Sequence, residues 1–306
     1  MTNPINQTSS ASSGAGISLT FATITLWIWT FFLFTTELHA REDYRVSYAI
    51  IQDTLTSGDD YDPEFGRFDV FEFNLSAGDV VDIEVRAGRF QPTLAIVSPT
   101  EKVEYGTPQK LTRAHYRGTV RETGTYLVIV RGDSLATGVY QLRCRYAAAA
   151  ALHPPADADL CEEITFLLAH LKADFYFLKK PSLPGQSHNE WEPTLILHNA
   201  LSAKIVQPGA EKYVAQMYRG NNRSRAETVF NTLAGKYKFC LGNGWEMTNH
   251  DWQVVNPLLP YRRQAVVFTE KATKAPRIIR LVFTDYSGTT GVSSVTYTVE
   301  VEFDRK

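Results

Sequence analysis

The residues best suited to chemistry by type and spacing are the acidic side chains of one short loop. Asp59, Asp60, Asp62 and Glu64 follow one another closely. Ca²⁺ is bound by carboxylate and carbonyl oxygens, roughly six to eight of them in flexible geometry. The spacing does not reproduce an EF-hand loop, and aspartate also favours solvated turns through local hydrogen bonds. The loop therefore predicts either a calcium site or an exposed acidic turn, and no other metal or cofactor is expected.

A second set of residues, in the C-terminal half, has side chains that could support hydrolysis. His188 and Glu190 lie beside Trp191 in one loop, and Cys240 and His250 have the residue types of a nucleophile and its base. The chain has neither an H-E-x-x-H pair nor a G-x-S-x-G nucleophile elbow. Cys240 also falls on the apolar stripe of a predicted helix, where a cysteine is more often a core residue. The sequence therefore assigns no catalytic residue.

Aromatic residues of the same half could line a ligand groove or a partner surface. Trp191, Trp245, Trp252 and Tyr261 are large and amphipathic, as residues of binding surfaces often are. Their positions show no period, which favours the alternative that Trp245 packs under a helix end and the others fix loops.

The strands that must position these residues are predicted by alternation of apolar and polar residues over residues 67–146. Apolar side chains occupy every second position in 68–75 and 80–86, which is typical of half-buried antiparallel strands. The intervening Ser-Ala-Gly-Asp of 76–79 predicts a tight turn, because glycine reaches positive φ at little cost. Short strands separated by glycine or proline indicate a β-sandwich. Further strands are predicted at 44–56, 93–97, 114–120, 125–130 and 139–146.

Five motifs in this segment occur in an order that resembles a known module. They are L-x-A-G-D, V-V-D-I-E-V, F-Q-P-T-L-A-I-V-S-P, G-T-Y-L-V-I-V and G-V-Y-Q-L. Over roughly residues 50 to 147, about a third of the chain, the segment resembles a bacterial pre-peptidase C-terminal domain. The resemblance implies a β-sandwich of the kind attached to secreted peptidases, and some such domains bind calcium near the same strand. One departure is that Thr100 and Glu101 follow Pro99, where such domains commonly turn with a glycine.

The remainder of the chain predicts an α+β domain. A proline-containing linker at 148–158 precedes a helix that begins at Asp159, and Ser224 to Glu227 has the pattern of a capping box for a second helix. That helix has a buried stripe and ends at Gly242. Strands predicted at 202–206, 212–218, 264–269, 277–283 and 295–303 would form an antiparallel sheet under the helix.

Composition and the N-terminus favour export and exclude nucleic-acid binding. The net charge is −2, with no run of basic residues to attract a polyanion. The first 36 residues carry no charge and contain an apolar run at 17–34. That run predicts either a cleaved signal peptide or a single membrane anchor after a disordered start, so 1–40 is a leader. The bulk would then be periplasmic or extracellular, or held at the inner membrane by 17–34 if the leader stays uncleaved.

The three cysteines leave two alternatives open. An exported compartment permits disulfides, and Cys161 with Cys240 is the pair expected, with Cys144 as a buried strand residue. Three unpaired core cysteines are the other alternative.

Together these features predict a leader (1–40), a sandwich (41–147), a linker (148–158) and an α+β domain (159–306). The function expected is that of a non-catalytic, exported accessory or binding protein of the cell envelope, whose sandwich contacts protein or extracellular polymer. The alternatives are a hydrolase with its site in the C-terminal domain, and an accessory or inhibitor partner of a separately encoded secreted peptidase.

Overall fold

The computed structural model of this chain describes most residues from 44 onwards. The described ranges are 5–6, 44–63, 66–133, 135–154, 156–181, 189–207, 211–256, 259–271, 273–288 and 296–305. The predicted apolar run 17–34 lies outside them. No helix in this described part of the chain is long and apolar enough to cross a membrane.

Two antiparallel sheets form the N-terminal half, in the order β1-β4-β10-β6-β7, with β3 on β4, and β2-β11-β5-β9-β8. The leader was expected to lack structure, but two of its residues form β1 against β4. The strands are β1 (Ile5–Asn6), β2 (Val46–Leu55), β3 (Tyr61–Asp62), β4 (Gly66–Leu75), β5 (Val80–Ala87), β6 (Thr93–Val97), β7 (Val103–Tyr105), β8 (Thr107–Lys110), β9 (Arg113–Thr119), β10 (Gly124–Arg131) and β11 (Gly138–Ala147).

The predicted alternation builds the core of this sandwich. Phe71, Phe73 and Leu75 of β4 are buried, while Glu72 and Asn74 between them are exposed. The inward residues of β5, β10 and β11 meet them in one apolar cluster. Burial of alternate residues on two facing sheets is the packing expected of a β-sandwich, so the predicted fold class of this half is confirmed.

The turn of the L-x-A-G-D motif is fixed by its aspartate. Gly78 has a φ of +92°, which is unfavourable for other residues. The buried Asp79 carboxylate accepts hydrogen bonds from the Ser76 amide at 2.8 Å, the Tyr146 hydroxyl at 2.8 Å and the Ala149 amide at 3.2 Å. Asp79 therefore joins the turn to the last strand of the sandwich and to the linker.

In the described part of the C-terminal half, a seven-stranded antiparallel sheet packs against two α-helices. The sheet order is β12-β13-β14-β18-β17-β16-β15, and its central strands share a buried cluster with both helices. The α+β prediction is confirmed. The elements are α1 (Leu160–Leu171), β12 (Glu190–Trp191), β13 (Ser202–Val206), β14 (Lys212–Gly220), α2 (Arg223–Leu241), β15 (Trp245–Asn256), β16 (Leu259–Glu270), β17 (Arg277–Asp285) and β18 (Tyr297–Arg305).

The helix ends agree with the sequence in part. Asp159 caps α1 by accepting from the Glu162 amide at 2.9 Å, and Gly242 ends α2 at a φ of +60°. The capping box predicted at Ser224 is wrong. Asn222 caps α2 instead, since its side-chain oxygen accepts from the Arg225 amide at 3.0 Å.

A disulfide joins the two helices. Cys161 at the start of α1 is bonded to Cys240 at the end of α2, and Cys144 is a buried free thiol in β11. The pairing expected from the sequence is confirmed, and the alternative of three unpaired cysteines is wrong.

The two halves are joined through a polar cluster on the outer face of β5. Asp82 is fully buried because Tyr176, in the turn after α1, covers it and donates a hydrogen bond at 2.7 Å. The Asp82 carboxylate also contacts His115 Nε2 at 2.9 Å and accepts from Arg145 at 3.2 Å. Burial, followed by the bond to Asp82, raises the pKa of Tyr176 to about 12. The phenol therefore stays protonated and holds the halves together at neutral pH.

Candidate functional site

The acidic loop places its carboxylates at one end of the sandwich. Asp59 folds back on its own turn, where its carboxylate accepts from the Thr56 amide at 2.5 Å and the Thr56 hydroxyl at 3.1 Å. Asp60 accepts from the Phe68 amide through its backbone carbonyl at 3.1 Å. These bonds are typical of an aspartate turn.

The same loop carries the predicted calcium ligands. Glu64 lies outside the described residues, and Asp62 is in β3. In the part of the chain that the structure describes, no three His, Cys, Asp or Glu side chains are grouped as metal ligands would be. Calcium at Asp59, Asp60, Asp62 and Glu64 therefore stays a prediction, which a calcium titration of the protein and of its Asp59→Asn variant would test.

Next to this loop, Asp69 is paired with a buried tyrosine. The Tyr140 hydroxyl donates to Asp69 at 2.6 Å, and Tyr140 is almost fully buried. Burial raises the pKa of Asp69, and the neighbouring carboxylates of Asp59, Asp53 and Asp60 raise it further. The hydrogen bond from Tyr140 acts in the opposite direction and lowers the pKa in part. The loop therefore concentrates negative charge around Asp69.

The candidate hydrolytic residues do not come together. Cys240 is in the disulfide, so it cannot serve as a nucleophile. Glu190 lies in β12 and His250 in β15, the opposite edges of the seven-stranded sheet, which are on the order of 30 Å apart at about 4.8 Å per strand. His188 lies outside the described residues. Glu190 instead forms an exposed ion pair with Lys204 at 2.9 Å.

The tryptophans occupy three different places in the C-terminal half. Trp191 lies in β12, with the Lys179 ammonium 4.1 Å from its ring centroid. Trp245 follows the end of α2 and packs partly against the core, as expected from the sequence. Trp252 was expected to fix a loop, but it lies within β15. Tyr261, in β16, contacts the ring of Tyr286 at 5.5 Å.

Two arginine side chains, one from the start of α2 and one from β16, lie beside the ring of Trp252. The guanidinium carbons of Arg223 and Arg262 lie 6.0 and 5.6 Å from its ring centroid, within the range of a cation–π contact. The indole rests edge-on against buried Phe283 at 5.0 Å, which fixes its position. About half of each arginine side chain remains exposed, at 51% and 49%.

A buried carboxylate orients one of these arginines. Asp285 accepts from Arg262 Nη2 at 2.9 Å and from the Ser287 amide at 2.9 Å. Burial alone would raise the pKa of Asp285, but the hydrogen bonds from Ser287 and Arg262 hold it below its usual range. The ionised Asp285 therefore keeps the guanidinium of Arg262 beside Trp252.

The first turn of α2 carries charges of the unfavourable sign. Arg223 and Arg225 lie there without an acidic residue, although the helix dipole disfavours cations at an N-terminus by about 0.3–1 kcal/mol each. In the ion pair of Arg223 with Glu227 at 2.8 Å, the cation precedes the anion along the helix, which stabilises a helix less than the reverse order. Local stability does not explain these arginines. We call Trp252, Arg223 and Arg262 the Trp252 surface.

Sequence reasoning named Trp252 but missed the arginines around it. They come from α2 and β16, which are far apart in the chain, and only the packing of α2 on the sheet brings them to the same tryptophan. The Arg-Ser-Arg start of α2 was the one local signal that could have indicated them.

The chain matches no protein-family model and no curated protein. Solved structures similar to it include the pre-peptidase C-terminal domain of a collagenase from Bacillus anthracis, with 19% identity and a TM-score of 0.27, over 32% of this chain and 89% of that one. Another is a periplasmic inhibitor of g-type lysozyme from Aeromonas hydrophila, with 12% identity and a TM-score of 0.25, over 33% of this chain and 87% of that one. The predicted resemblance to the pre-peptidase C-terminal domain is thus confirmed as a likeness of fold, and it carries no argument about activity.

Proposed function

We propose that this chain is an exported, non-catalytic accessory protein of the cell envelope whose α+β half binds a protein partner through the Trp252 surface. The observation that carries the proposal is the contact of Trp252, which packs on Phe283, with two half-exposed arginines. Tryptophan and arginine are the residues most enriched among those that dominate binding energy at protein interfaces.

The hydrogen-bond donors of the Trp252 surface indicate what kind of partner fits. Arg223 is paired with Glu227 at 2.8 Å and Arg262 with the buried Asp285 at 2.9 Å, so each cation is balanced by a carboxylate. Each guanidinium has five N–H donors, more than its one carboxylate uses, and about half of each side chain is exposed. A partner segment with an apolar side chain for the indole and carbonyl or carboxylate oxygens for these donors would complement the surface.

Export is supported by the disulfide. Bonds such as Cys161–Cys240 persist in oxidising compartments and are rare in the cytosol. The sandwich would then contact a further protein or extracellular polymer in the periplasm or outside the cell. Residues 17–34 would be either the removed signal or the anchor to the inner membrane.

The structure bears differently on the hydrolase alternative and on the peptidase-partner alternative. A hydrolytic site that uses Cys240 as nucleophile is contradicted by the disulfide. A role beside a separately encoded secreted peptidase is one form of the accessory function, and the identity of the partner would decide it.

The experiment is site-specific photocrosslinking in cells that export the full chain. A photoreactive phenylalanine replaces Val254, which is 57% exposed two residues from Trp252. We expect one crosslinked partner, whose yield falls at least tenfold when Arg223→Glu and Arg262→Glu are added.

The matched control is Lys236→Glu with Lys238→Glu, the same change of charge on exposed residues near the other end of α2. It should leave the crosslink unchanged. A crosslink that survives the arginine reversals, or no crosslink in any variant, would refute the proposal.

A further inference from the structure

One sheet of the sandwich carries two rows of polar side chains on its outer face. Residues directly opposite one another in an antiparallel pair point to the same side of the sheet. The register of β2, β11, β5 and β9 therefore places one row of Ile50, Arg143, Glu84 and His115, and a second row of Gln52, Gln141, Arg86 and Arg113. The alternate residues Val85 and Leu142 are fully buried, so these rows face away from the core. We call the two rows the arginine face.

The arginine face has three arginines and one carboxylate. Arg86 donates to both oxygens of Glu84, at 2.6 and 3.1 Å, and Arg113 Nε lies 3.7 Å from one of them. Burial alone would raise the pKa of Glu84, but Arg86 and then the charges of Arg113 and Arg143 hold it below its usual range. Glu84 is therefore ionised at neutral pH, and it balances only one of the three cations.

The neighbouring row on the same face does not reverse this excess of positive charge. In it Asp82 lies directly between Arg145 of β11 and Arg117 of β9. Arg145 Nη1 is 3.2 Å from the Asp82 carboxylate, and Tyr176 covers this row. The row thus adds one carboxylate and two arginines, so the excess of cations extends across the face.

Arg143 is the arginine of this face whose charge is least balanced. The register places it opposite Glu84, yet its Nε donates to the side-chain oxygen of Gln141 at 2.7 Å, and it forms no ion pair with a carboxylate that the structure describes. Because Gln141 is neutral, Arg143 keeps its full charge. The side chains of Arg86 and Arg113 are 34% and 36% exposed, so a ligand can reach the N–H donors that Glu84 does not use.

The other side chains of the arginine face suit a sugar polymer better than a protein surface. The amides of Gln52 and Gln141, opposite one another, can both donate to and accept from hydroxyl groups. Ile50 is the only apolar side chain of the two rows, whereas the centre of a protein interface is usually apolar and depleted of charge. Guanidinium groups bind carboxylate and other oxyanions through two parallel hydrogen bonds. Since neighbouring strands lie about 4.8 Å apart, one extended polymer can contact several of these groups.

We propose that the arginine face binds an anionic polysaccharide. The polymer crosses β11, β5 and β9, its anionic groups accept hydrogen bonds from Arg143, Arg86 and Arg113, and its hydroxyl groups bond to the glutamine amides. This inference rests on the polymer contact proposed above for the sandwich and names the class of polymer. It does not involve the Trp252 surface, which lies in the other half of the chain.

Calorimetric titration of the folded full chain with defined polymers tests the class of ligand. Polygalacturonate, whose sugars carry carboxylates, should bind, and neutral dextran should not. Dextran sulfate distinguishes the two anionic groups, and binding of either anionic polysaccharide supports the proposal. Because salt screens exposed charges, the affinity should fall as the NaCl concentration is raised. Polyglutamate offers carboxylates without sugar hydroxyls and should bind about tenfold weaker than polygalacturonate, since it loses the bonds to the glutamine amides.

Two variants of one residue locate the site. Arg143→Gln removes the least balanced cation and should weaken the binding of polygalacturonate about tenfold. Arg143→Lys keeps the charge but loses the planar pair of donors, so it should recover only part of that affinity. The matched control Lys236→Gln, which removes an exposed cation of α2, should bind as the wild type does.

Thermal unfolding shows whether each variant is folded before its affinity is compared. Equal or tighter binding of polyglutamate would indicate an acidic protein partner and would overturn the proposal. Unchanged affinity in folded Arg143→Gln, equal binding of dextran, or no binding of either anionic polysaccharide would overturn it as well. Crosslinking at Val254 uses a surface in the other half, so the two proposals fail independently.

Discussion

The buried histidine of α1 makes the stability of the C-terminal half depend on pH in a way that can be calculated. His170 is fully buried, its Nε2 donates to the Ala151 carbonyl at 2.7 Å, and its ring lies 4.6 Å from Phe166. Burial, only partly opposed by that hydrogen bond, lowers its pKa from 6.5 to about 4. The folded protein therefore keeps this imidazole neutral while the unfolded chain can protonate it.

The sign and size of the effect follow from linkage. Because the folded pKa is the lower one, the contribution of His170 is fully present above pH 6.5 and is lost as the pH falls towards 4. A difference of 2.5 between the two pKa values corresponds to about 3 kcal/mol at 1.36 kcal/mol for each pKa unit. We therefore expect the free energy of unfolding to fall by about 3 kcal/mol between pH 7 and pH 4 on account of this residue alone.

Urea unfolding followed by tryptophan fluorescence measures this fall, since Trp191, Trp245 and Trp252 all lie in the same half as His170. The variant His170→Phe removes the titrating group, so its loss of stability from pH 7 to pH 4 should be about 3 kcal/mol smaller than that of the wild type. Every other titrating group contributes to both proteins and cancels. His250→Gln, at an exposed position of β15, is the control and should behave as the wild type. Equal pH dependence in His170→Phe and the wild type would refute the reasoning.

Three further changes have expected outcomes. Replacing Cys161 and Cys240 by serine removes a crosslink across 79 residues and should lower the free energy of unfolding, measured with urea, by about 4 kcal/mol. Equal free energies of unfolding for the variant and the wild type would show that the bond does not constrain the unfolded chain. Tyr176→Phe deletes one hydrogen-bond donor to the buried Asp82 and should lower the free energy of unfolding, measured by thermal unfolding, by about 2 kcal/mol. An unchanged stability would mean that the contact between the halves does not depend on this bond. Glu101→Gly should stabilise the sandwich by about 1 kcal/mol, because Glu101 has a φ of +62° that glycine adopts without strain, and a destabilised variant would contradict this.

The sandwich could be predicted from the sequence because its signals are local. The alternation of β4 and β5 determines which side chains face inward, and Gly78 with Asp79 determines the turn between them. The departure at Glu101 was also visible, and the structure shows its consequence, a non-glycine residue in left-handed conformation. Each of these inferences needs only residues a few positions apart.

The polar cluster that joins the two halves could not be predicted in the same way. In the alternating β5, Asp82 occupies an outward position, which predicts contact with water. It is instead fully buried, because Tyr176, 94 residues later, closes over it. Hydrogen bonds at such a separation leave no local pattern, so this cluster cannot be inferred before the two halves are placed together.

The strand β15 was missed for a different reason. Among the described strands it pairs with β16 alone, at the edge of the sheet. Its register with β16 shifts between His250 and Gln253, so its residues do not alternate regularly. Such irregularity protects an edge from pairing with other chains, but it also hides the strand from a period-two search.

The same irregularity affects where the indole of Trp252 lies. It lies within the shifted stretch between His250 and Gln253, where the bulge lets the indole rest on Phe283 beside Arg262. Bulges commonly re-aim a side chain next to functional sites. The arginines that weaken the start of α2 are a second departure from locally favourable structure at the Trp252 surface. Local departures of this kind are expected where a residue serves binding and not folding, and for this reason we propose a partner for this surface.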